Sequence, residues 1–217
     1  MKKRVRSTSK EELVERLLKR FGYDEPIFTQ EILETWKEYS RPRVFQLLKE
    51  LLKEGTITKE GTGVYFFSTE LYARRRTVLG RQPIMDKKFI RYGGEVFGYY
   101  SGMSLLNGLH LTTQMPFQIE LVSSKASAKI RKVRISNSEV TVRRSRVPVT
   151  KNNVHALMLL EAFMEMRRPL DEEETKWIRE FVKLKNIKEE DVIRYSRYFP
   201  IHVLKSLYGT GIRNVFA

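Results

Sequence analysis

Lysine and arginine are the main functional side chains of this sequence, and the interaction they offer is the binding of anions. The 217 residues include 41 Lys and Arg against 26 Asp and Glu, which gives a formal net charge of +15. A field of one sign concentrates polyanions such as nucleic acid or an anionic membrane surface. Acidic small molecules explain so large an excess less well. The composition therefore predicts a polyanionic partner.

Residues for nucleophilic, acid–base or metal chemistry are sparse. The sequence has no Cys, which excludes disulfides, thiolate zinc sites and a cysteine nucleophile. His110, His155 and His202 lack the spacing of metal ligands, and no phosphate-binding loop, nucleophile elbow or paired-carboxylate motif occurs. The acidic run from Asp171 to Glu174 suits the start of a helix better than a metal site. We therefore expect a protein that is not an enzyme and holds no metal or cofactor.

Hydrophobic segments of this sequence are too short to suggest a membrane protein. The basic start of the chain runs into polar residues rather than into the apolar stretch of a signal peptide. The longest apolar region, Val154–Met166, is interrupted by Glu161 and is shorter than a bilayer span. We expect a soluble, cytoplasmic protein without a membrane partner.

The first 70 residues have the pattern of a winged helix-turn-helix. Apolar spacing predicts a helix over residues 9–22 capped by Ser9, a second capped by Thr29, and a third from Ser40 to Gly55. Residues 56–59 and 64–67 have strand composition and flank a glycine-bearing loop at 60–63, which predicts a hairpin. In a winged helix the third helix enters the major groove, and the hairpin lies along the backbone.

Polar residues on the third helix are the candidates for DNA contact. Arg41, Arg43 and Gln46 are of types that read bases or flanking phosphates, and the lysines suit the backbone. Two alternatives remain, because Glu50 and Glu54 interrupt the basic face: a merely solvated helix, or a protein-binding adaptor. The predicted DNA-binding residues are Ser40, Arg41, Arg43, Gln46, Lys49, Lys53 and Lys59.

The charge excess is largest beyond this region. Residues 1–80 carry a net charge of +5, residues 81–150 carry +8 and residues 151–217 carry +2. A run of three arginines at 74–76 and a Gly-Arg-Gln-Pro break at 80–83 suggest a boundary. We therefore predict a DNA-binding domain over residues 1–70, a basic linker over 71–85 and a second domain over 86–217.

The second domain contains a predicted strand at 116–123 and a strongly basic hairpin. Residues 129–135 and 139–146 face each other across 136–138, with an apolar face from Val133, Ile135, Val140 and Val142. Its cations are expected to project mainly outward, where DNA, RNA or an acidic protein surface would neutralise them. The alternative is protection of an exposed strand edge. The cations are Lys129, Arg131, Lys132, Arg134, Arg143, Arg144 and Arg146.

Residues 98–116 predict a small helix capped at Ser101 and a turn into the next strand. This passage resembles the AbiEi family of antitoxins, from prokaryotic type IV toxin–antitoxin and phage-defence systems, whose members carry a similar passage behind an N-terminal winged helix. The resemblance covers about residues 8–68 and 86–217. The motif positions, which could be structural, are Tyr100, Ser101, Gly102, Thr113, Gln114 and Pro116.

The resemblance implies a bifunctional regulator. Its winged helix would bind inverted repeats in the promoter of its own operon, and its C-terminal domain would counteract a nucleotidyltransferase-like toxin. The protein would be a monomer or weak dimer that pairs on DNA. An accessory protein that processes RNA or other nucleic acid is the alternative from a different class.

The expected fold class is α+β. The winged helix-turn-helix would precede an α+β domain with a small antiparallel sheet and a helical C-terminal part. A largely apolar helix beginning after Asn152 or Asn153 would form the centre of that domain. Further helices are expected after the acidic run at 171–174, around 188–198 and around 200–208.

Overall fold

The computed structural model describes residues 9–69, 79–211 and 215–216. The chain forms two compact units, Met1–Ile84 and Met85–Ala217, and each combines helices with strands, so the predicted α+β class is confirmed. Residues 70–78, which include most of the predicted linker, lie outside the described ranges. Of the remaining linker residues, Arg81–Met85 form a short helix.

The first unit places helices before a small antiparallel sheet. The sheet has the strand order β1-β3-β2, so β3 lies in its centre. The elements are α1 (Lys10–Phe21), β1 (Ile27–Phe28), α2 (Thr29–Thr35), α3 (Arg41–Lys53), β2 (Thr58–Gly61) and β3 (Val64–Phe66), and α4 (Arg81–Met85) begins in this unit and ends at the first residue of the next.

Helices α1 and α3 follow the sequence prediction closely. The Ser9 hydroxyl accepts the backbone N–H of Glu12 at 3.2 Å, and Gly22 adopts a left-handed φ of 79° as the helix ends. Ser40 has an extended backbone before α3, and Pro42 lies in the first turn, where no N–H is needed. Both helices bury one apolar face in the same core.

The start of α2 and the hairpin differ from the prediction. Thr29 is the first residue of α2 rather than its cap, and its hydroxyl donates to the Gly63 carbonyl at 3.2 Å. A two-residue strand, β1, precedes α2 and was missed. Strand β2 begins at Thr58 and extends to Gly61, because a register shift between Lys59 and Gly61 lets the strand continue into the predicted loop.

Trp36 fixes the packing of the helices in the first unit. Its side chain is fully buried, and its Nε1–H donates to the Leu13 carbonyl of α1 at 3.1 Å. Arg16 of α1 donates to the Thr35 carbonyl and to Glu38. These contacts tie α1 to the segment before α3 and thereby set the direction in which α3 presents its outer face.

The second unit surrounds a four-stranded sheet. A π-helical turn at Asp86–Ile90 and a two-stranded ribbon precede the sheet, and four longer helices follow it in the described ranges. The elements are β4 (Arg91–Tyr92), β5 (Glu95–Val96), β6 (Gly98–Ser101), α5 (Gly102–Gly108), β7 (Ile119–Ser123), β8 (Ile130–Ile135), β9 (Ser138–Arg144), α6 (Val154–Met166), α7 (Glu172–Leu184), α8 (Glu189–Ser196) and α9 (Ile201–Thr210).

This sheet is mixed, whereas the sequence pattern predicts an antiparallel one. Its strand order is β6-β7-β9-β8, and β7 pairs with β9 in parallel. The predicted β8–β9 hairpin is present, with Ile135 opposite Ser138. After β7 the chain crosses to the far edge of the sheet and forms β8. It then turns back, so that β9 lies between β7 and β8 and runs parallel to β7. Local hairpin signals do not specify which of the two strands takes the inner position.

The core of the second unit lies between the sheet and the helices. Helix α6 is buried around most of its circumference, as expected, and packs with α7, α8 and α9 in one apolar cluster. Tyr99 and Val122 of the sheet belong to the same cluster. Asp171 caps α7 by accepting the Glu174 N–H at 2.8 Å, so the acidic run begins a helix as predicted. No helix in the described ranges has the length and apolar character needed to cross a membrane.

Candidate nucleic-acid interface

Helix α3 presents a polar outer face built by its own residue spacing. Val44, Leu47, Leu48 and Leu51 are buried. At 3.6 residues per turn, Gln46, Lys49 and Lys53 fall opposite that stripe. The structure leaves all seven predicted DNA-binding residues exposed to solvent: Ser40, Arg41, Arg43, Gln46, Lys49, Lys53 and Lys59.

The two arginines lie on opposite flanks of this face. The guanidinium group of Arg41 lies 5.8 Å from the centre of the Phe45 ring, whereas Arg43 lies 3.8 Å from a carboxylate oxygen of Glu50. An exposed pair at that distance is weak and is screened by salt. The arginine side chains therefore keep donors available for phosphate or guanine.

The hairpin that follows α3 is tied to α2 at its turn. The Thr29 backbone N–H and hydroxyl both donate to the Gly63 carbonyl, at 2.9 and 3.2 Å. Gly63 has a φ of +73°, and a Cβ there would lie 3.0 Å from the Thr29 hydroxyl oxygen. Lys59 of β2 is exposed and lies on the pairing strand opposite Tyr65. The turn therefore has a fixed position while Lys59 stays available to an anion.

The two acidic residues that weakened the basic face have identifiable partners. Glu54 pairs with Lys10 of α1 at 2.5 Å, and Glu50 faces Arg43. Neither carboxylate lies among Gln46, Lys49 and Lys53 on the central part of the face. The centre of the outer face thus carries two cations and one amide, a set that suits phosphate and base edges.

The basic hairpin of the second unit is less uniform than predicted. Lys132 and Arg134 project to solvent from β8, although Lys132 pairs with Glu139 at 2.8 Å. Arg131 lies on the other face of β8 and donates to the Ser127 hydroxyl at 2.8 Å. Ile135, Val140 and Val142 are buried as expected, but Val133 is only half-buried. Of the remaining predicted cations, Lys129 directly precedes β8, Arg143 and Arg144 lie on β9, and Arg146 lies in the loop after β9.

Arg143 contradicts the prediction that these cations project outward. Its Nη2 donates to the Ser101 hydroxyl at 2.5 Å and to Glu161 of α6, and it lies 3.3 Å from Glu165. Ser101 also donates to Glu161, at 2.7 Å. The reason is strand alternation: Arg143 shares a sheet face with Val122, and that face is covered by α6.

The group formed by Ser101, Arg143, Glu161 and Glu165 is called here the Arg143 cluster. Burial opposes the charge on Arg143, but the carboxylates of Glu161, Glu165 and Glu120 together outweigh it and raise the pKa of the guanidinium. Burial, followed by repulsion from Glu161, raises the pKa of Glu165. Burial and then the Glu161 carboxylate also raise the pKa of Tyr99, so its hydroxyl stays protonated. The cluster acts as an internal ion pair that connects β9, β6 and α6.

The six motif positions between Tyr100 and Pro116 divide into an inner and an outer group. Ser101 is the N-cap residue of α5, as predicted, but its side chain makes no capping hydrogen bond. Its hydroxyl is instead engaged in the Arg143 cluster. Gly102 has a φ of +57°, and a Cβ there would lie 3.1 Å from the Glu120 carboxyl carbon. The Tyr100 hydroxyl donates to Asp86 at 3.1 Å. The outer group lies in the loop after α5 and comprises Thr113, Gln114 and Pro116.

The histidines do not come together. His110 stacks on Trp177 with ring centres 4.9 Å apart, and His155 meets the edge of Phe181 at 6.2 Å. Burial, and secondarily the charge of Lys185, lowers the pKa of His155. Within the described residues, no group of three or more His, Asp or Glu side chains could hold a metal ion.

Sequence reasoning missed Glu161, Glu165 and Tyr99 as interacting residues. The one available signal was the presence of two carboxylates, at 161 and 165, inside an otherwise largely apolar helix. A buried carboxylate requires a partner, but nothing in the local sequence identifies Arg143 among seven neighbouring cations. The pairing depends on the parallel register of β7 and β9.

Neither the models of known protein families nor the curated proteins gave a match to the chain.

Proposed function

We propose that this chain is a DNA-binding antitoxin and transcriptional autorepressor of a toxin–antitoxin operon. The observation that carries the DNA-binding part is the outer face of α3, where every predicted contact residue is exposed. The order of three helices followed by a hairpin supports a winged helix-turn-helix, with α3 in the major groove of double-stranded DNA.

The composition of the α3 face favours nucleic acid over a protein partner. Its centre consists of Gln46, Lys49 and Lys53. The central part of a protein–protein interface is instead depleted in charged residues and enriched in aromatic residues. Phe45, the one aromatic residue on this helix, is half-buried and lies beside Arg41. The face is therefore suited to the phosphate backbone and base edges.

The antitoxin part of the proposal rests on the resemblance of residues 100–122 to the AbiEi family. The counterpart would be a nucleotidyltransferase-like toxin encoded by the adjacent gene. The inner motif positions Ser101 and Gly102 are involved in packing and ion pairing within the second unit. Thr113 and Gln114 are exposed and remain the motif positions available for contact.

Binding of the full chain to its own upstream DNA tests the autorepressor part. Fluorescence anisotropy should show preference for a duplex carrying the promoter inverted repeat over a scrambled duplex, with affinity falling steeply as salt rises. Arg41→Glu combined with Arg43→Glu should abolish that preference, because both flanks of α3 would then repel DNA. The control Lys19→Glu with Lys176→Glu makes the same change in net charge at exposed residues outside α3.

Four outcomes would contradict parts of this proposal. Equal affinity for scrambled duplex would exclude autorepression at the repeat. Absence of any duplex binding would favour a protein-binding adaptor, and tighter binding to RNA than to duplex would favour the accessory role. For the antitoxin part, co-expression of this chain should relieve growth arrest caused by the adjacent gene product. Persistent arrest would reject that part alone.

A further inference from the structure

A cavity of about 280 Å³ opens between the sheet and the helices of the second unit. It lies beside the Arg143 cluster and does not include any residue of α3. Strands β6 to β9, the loop after β9 and helix α6 contribute to its wall. The lining residues are Tyr99, Val122, Lys129, Ile130, Arg143, Arg144, Ser145, Arg146 and Glu161.

Positive charge dominates the wall of this cavity. Four of its residues are cations and one is a carboxylate, and that carboxylate, Glu161, is already engaged by Arg143 and Ser101. Among the described residues, Lys129, Arg144 and Arg146 have no acidic partner within ion-pair distance. Arg144 directly follows Arg143 on β9, so its side chain extends from the opposite face of the sheet, where it donates to the Ala126 and Ser127 carbonyls. The mouth therefore carries the positive charges of Lys129 and Arg146, which no described side chain of the unit neutralises.

Arg146 is held in position by uncharged groups. Its Nη2 lies 3.4 Å from the Met164 sulfur, and its guanidinium group lies 5.2 Å from the centre of the Phe199 ring. These contacts orient the guanidinium group without cancelling its charge. An anion that enters the cavity would meet a donor whose conformational freedom is already reduced.

Another part of the wall is apolar and partly exposed. Ile130 is 59% exposed at the start of β8, next to Lys129. Val122 and the ring of Tyr99 are buried deeper in the cavity. A ligand that carries only an anionic group would leave this apolar wall in water, whereas one with an attached apolar or aromatic group would cover it.

We infer that this cavity binds a small organic phosphate, in which a phosphomonoester is attached to an apolar or aromatic group. A phosphomonoester carries a charge of about −1.5 to −2 near pH 7, which matches the two cations Lys129 and Arg146 better than a single carboxylate does. The volume of about 280 Å³ lies just below the usual range of ligand cavities, about 300 to 1,000 Å³, so the ligand is no larger than a mononucleotide. The inference goes beyond the proposed function, because it gives the second unit a ligand of its own.

Calorimetric titration of the full chain at constant ionic strength tests this assignment. Phenyl phosphate and adenosine monophosphate are the probes, and inorganic phosphate, phenol and adenosine are the comparisons. We expect saturable binding of one probe molecule per chain, about tenfold tighter than inorganic phosphate and with no detectable binding of the neutral compounds. A single-stranded oligonucleotide with and without a 5′-phosphate distinguishes a nucleic-acid end from a free metabolite as the source of the phosphate.

Matched variants locate the binding. Lys129→Gln with Arg146→Gln should weaken phenyl phosphate binding by about tenfold or more, because two charge-assisted contacts are lost. Lys151→Gln with Lys176→Gln removes the same charge from exposed positions outside the cavity and should leave the affinity unchanged. Ile130→Glu places a carboxylate at the exposed mouth and should abolish binding without disturbing the core. Thermal unfolding without ligand checks that each variant is folded.

Two results would overturn the inference. One is failure of both probes to bind saturably to the folded wild-type chain. The other is equal weakening by the cavity variants and by the control pair, which would indicate a general effect of net charge. If the double variant at 129 and 146 does not fold, unchanged binding in Ile130→Glu is sufficient to reject the cavity as the site.

Discussion

Arg41 and Arg43 begin helix α3 in contact with solvent, whereas Arg143, on the most basic hairpin of the chain, has only 18% of its side chain exposed. All three are candidates for anion binding by residue type and position in the sequence. In the first unit the apolar stripe of α3 faces the core, so Arg41 and Arg43 remain in solvent. In the second unit strand alternation places Arg143 on the face of the sheet that α6 covers. A count of cations in a sequence therefore defines an anion-binding surface only once the buried cations have been identified and set aside.

The largest effect on stability is expected from removal of the buried cation. Arg143→Met leaves Glu161, whose side chain is 2% exposed, without its counter-ion. Removing one partner of a buried pair costs about 3–5 kcal/mol of the free energy of unfolding. Urea denaturation would measure it.

Two matched variants give this prediction its controls. Arg134→Met removes an exposed cation from the same hairpin and should change the free energy of unfolding by less than about 0.5 kcal/mol. Arg143→Met with Glu161→Met should recover much of the lost stability, because neither charge then remains unpaired. Equal losses from Arg143→Met and Arg134→Met would contradict the buried role.

Charge on the exposed side should matter for binding rather than for folding. Arg41→Gln is expected to weaken binding to the inverted repeat by about 1–3 kcal/mol if the side chain contacts a guanine, and to relax preference at one position. The midpoint of urea denaturation should stay near that of the wild type. A comparable loss of stability would show that Arg41 contributes to packing instead.

A smaller effect is expected from the backbone beside the Arg143 cluster. Gly102→Ala introduces a side chain at a φ of +57° and 3.1 Å from the Glu120 carboxyl carbon. The left-handed backbone alone costs an L-residue about 1–2 kcal/mol. Thermal unfolding should reveal this loss, and Gly108→Ala, which lies in the same helix with open space at its Cβ, is the control. Equal stability of both variants would remove the argument for a required glycine.

The smallest predicted effect is a change in pH dependence at Glu165. Burial raises the pKa of this carboxyl above its ordinary value of 4.5, so the folded chain binds the proton more tightly than the unfolded chain does. The corresponding stability is fully present below pH 4.5 and is lost as the pH rises through the folded-state pKa.

Glu165→Gln removes that loss. The variant should exceed the wild type in stability at pH 7 by less than about 1 kcal/mol, since the side chain is partly exposed, and should show no gain at pH 4. Denaturation curves at the two pH values measure the difference. A gain of the same size at both pH values would contradict the role of ionisation.

Local patterns in the sequence predicted much of the fold. The apolar stripes of α1, α3 and α6 and the capping residues Ser9 and Asp171 depend on neighbours within a few positions, so they could be identified without a structure. The two-residue strand β1 and the mixed order of the second sheet could not be predicted in this way, because both depend on pairing with distant segments.

The candidate site divides in the same manner. The exposed residues of α3 follow from helix periodicity and were predicted individually. The Arg143 cluster joins residues from β6, β9 and α6, and its members are recognisable as partners only once the parallel register of β7 and β9 is known. Thr29 shows the same limit on a small scale, because its bond to Gly63 crosses from α2 to the hairpin turn and displaces its expected capping role.

The salt dependence of binding to the inverted-repeat duplex tests the central claim most directly, namely that the outer face of α3 binds DNA. The slope of log affinity against log salt concentration should become less steep by about 2 in Lys49→Gln with Lys53→Gln, because each lost phosphate contact contributes about one unit. The same control pair used for net charge, Lys19→Glu with Lys176→Glu, should leave the slope unchanged. An unaltered slope in the α3 variant would contradict the account.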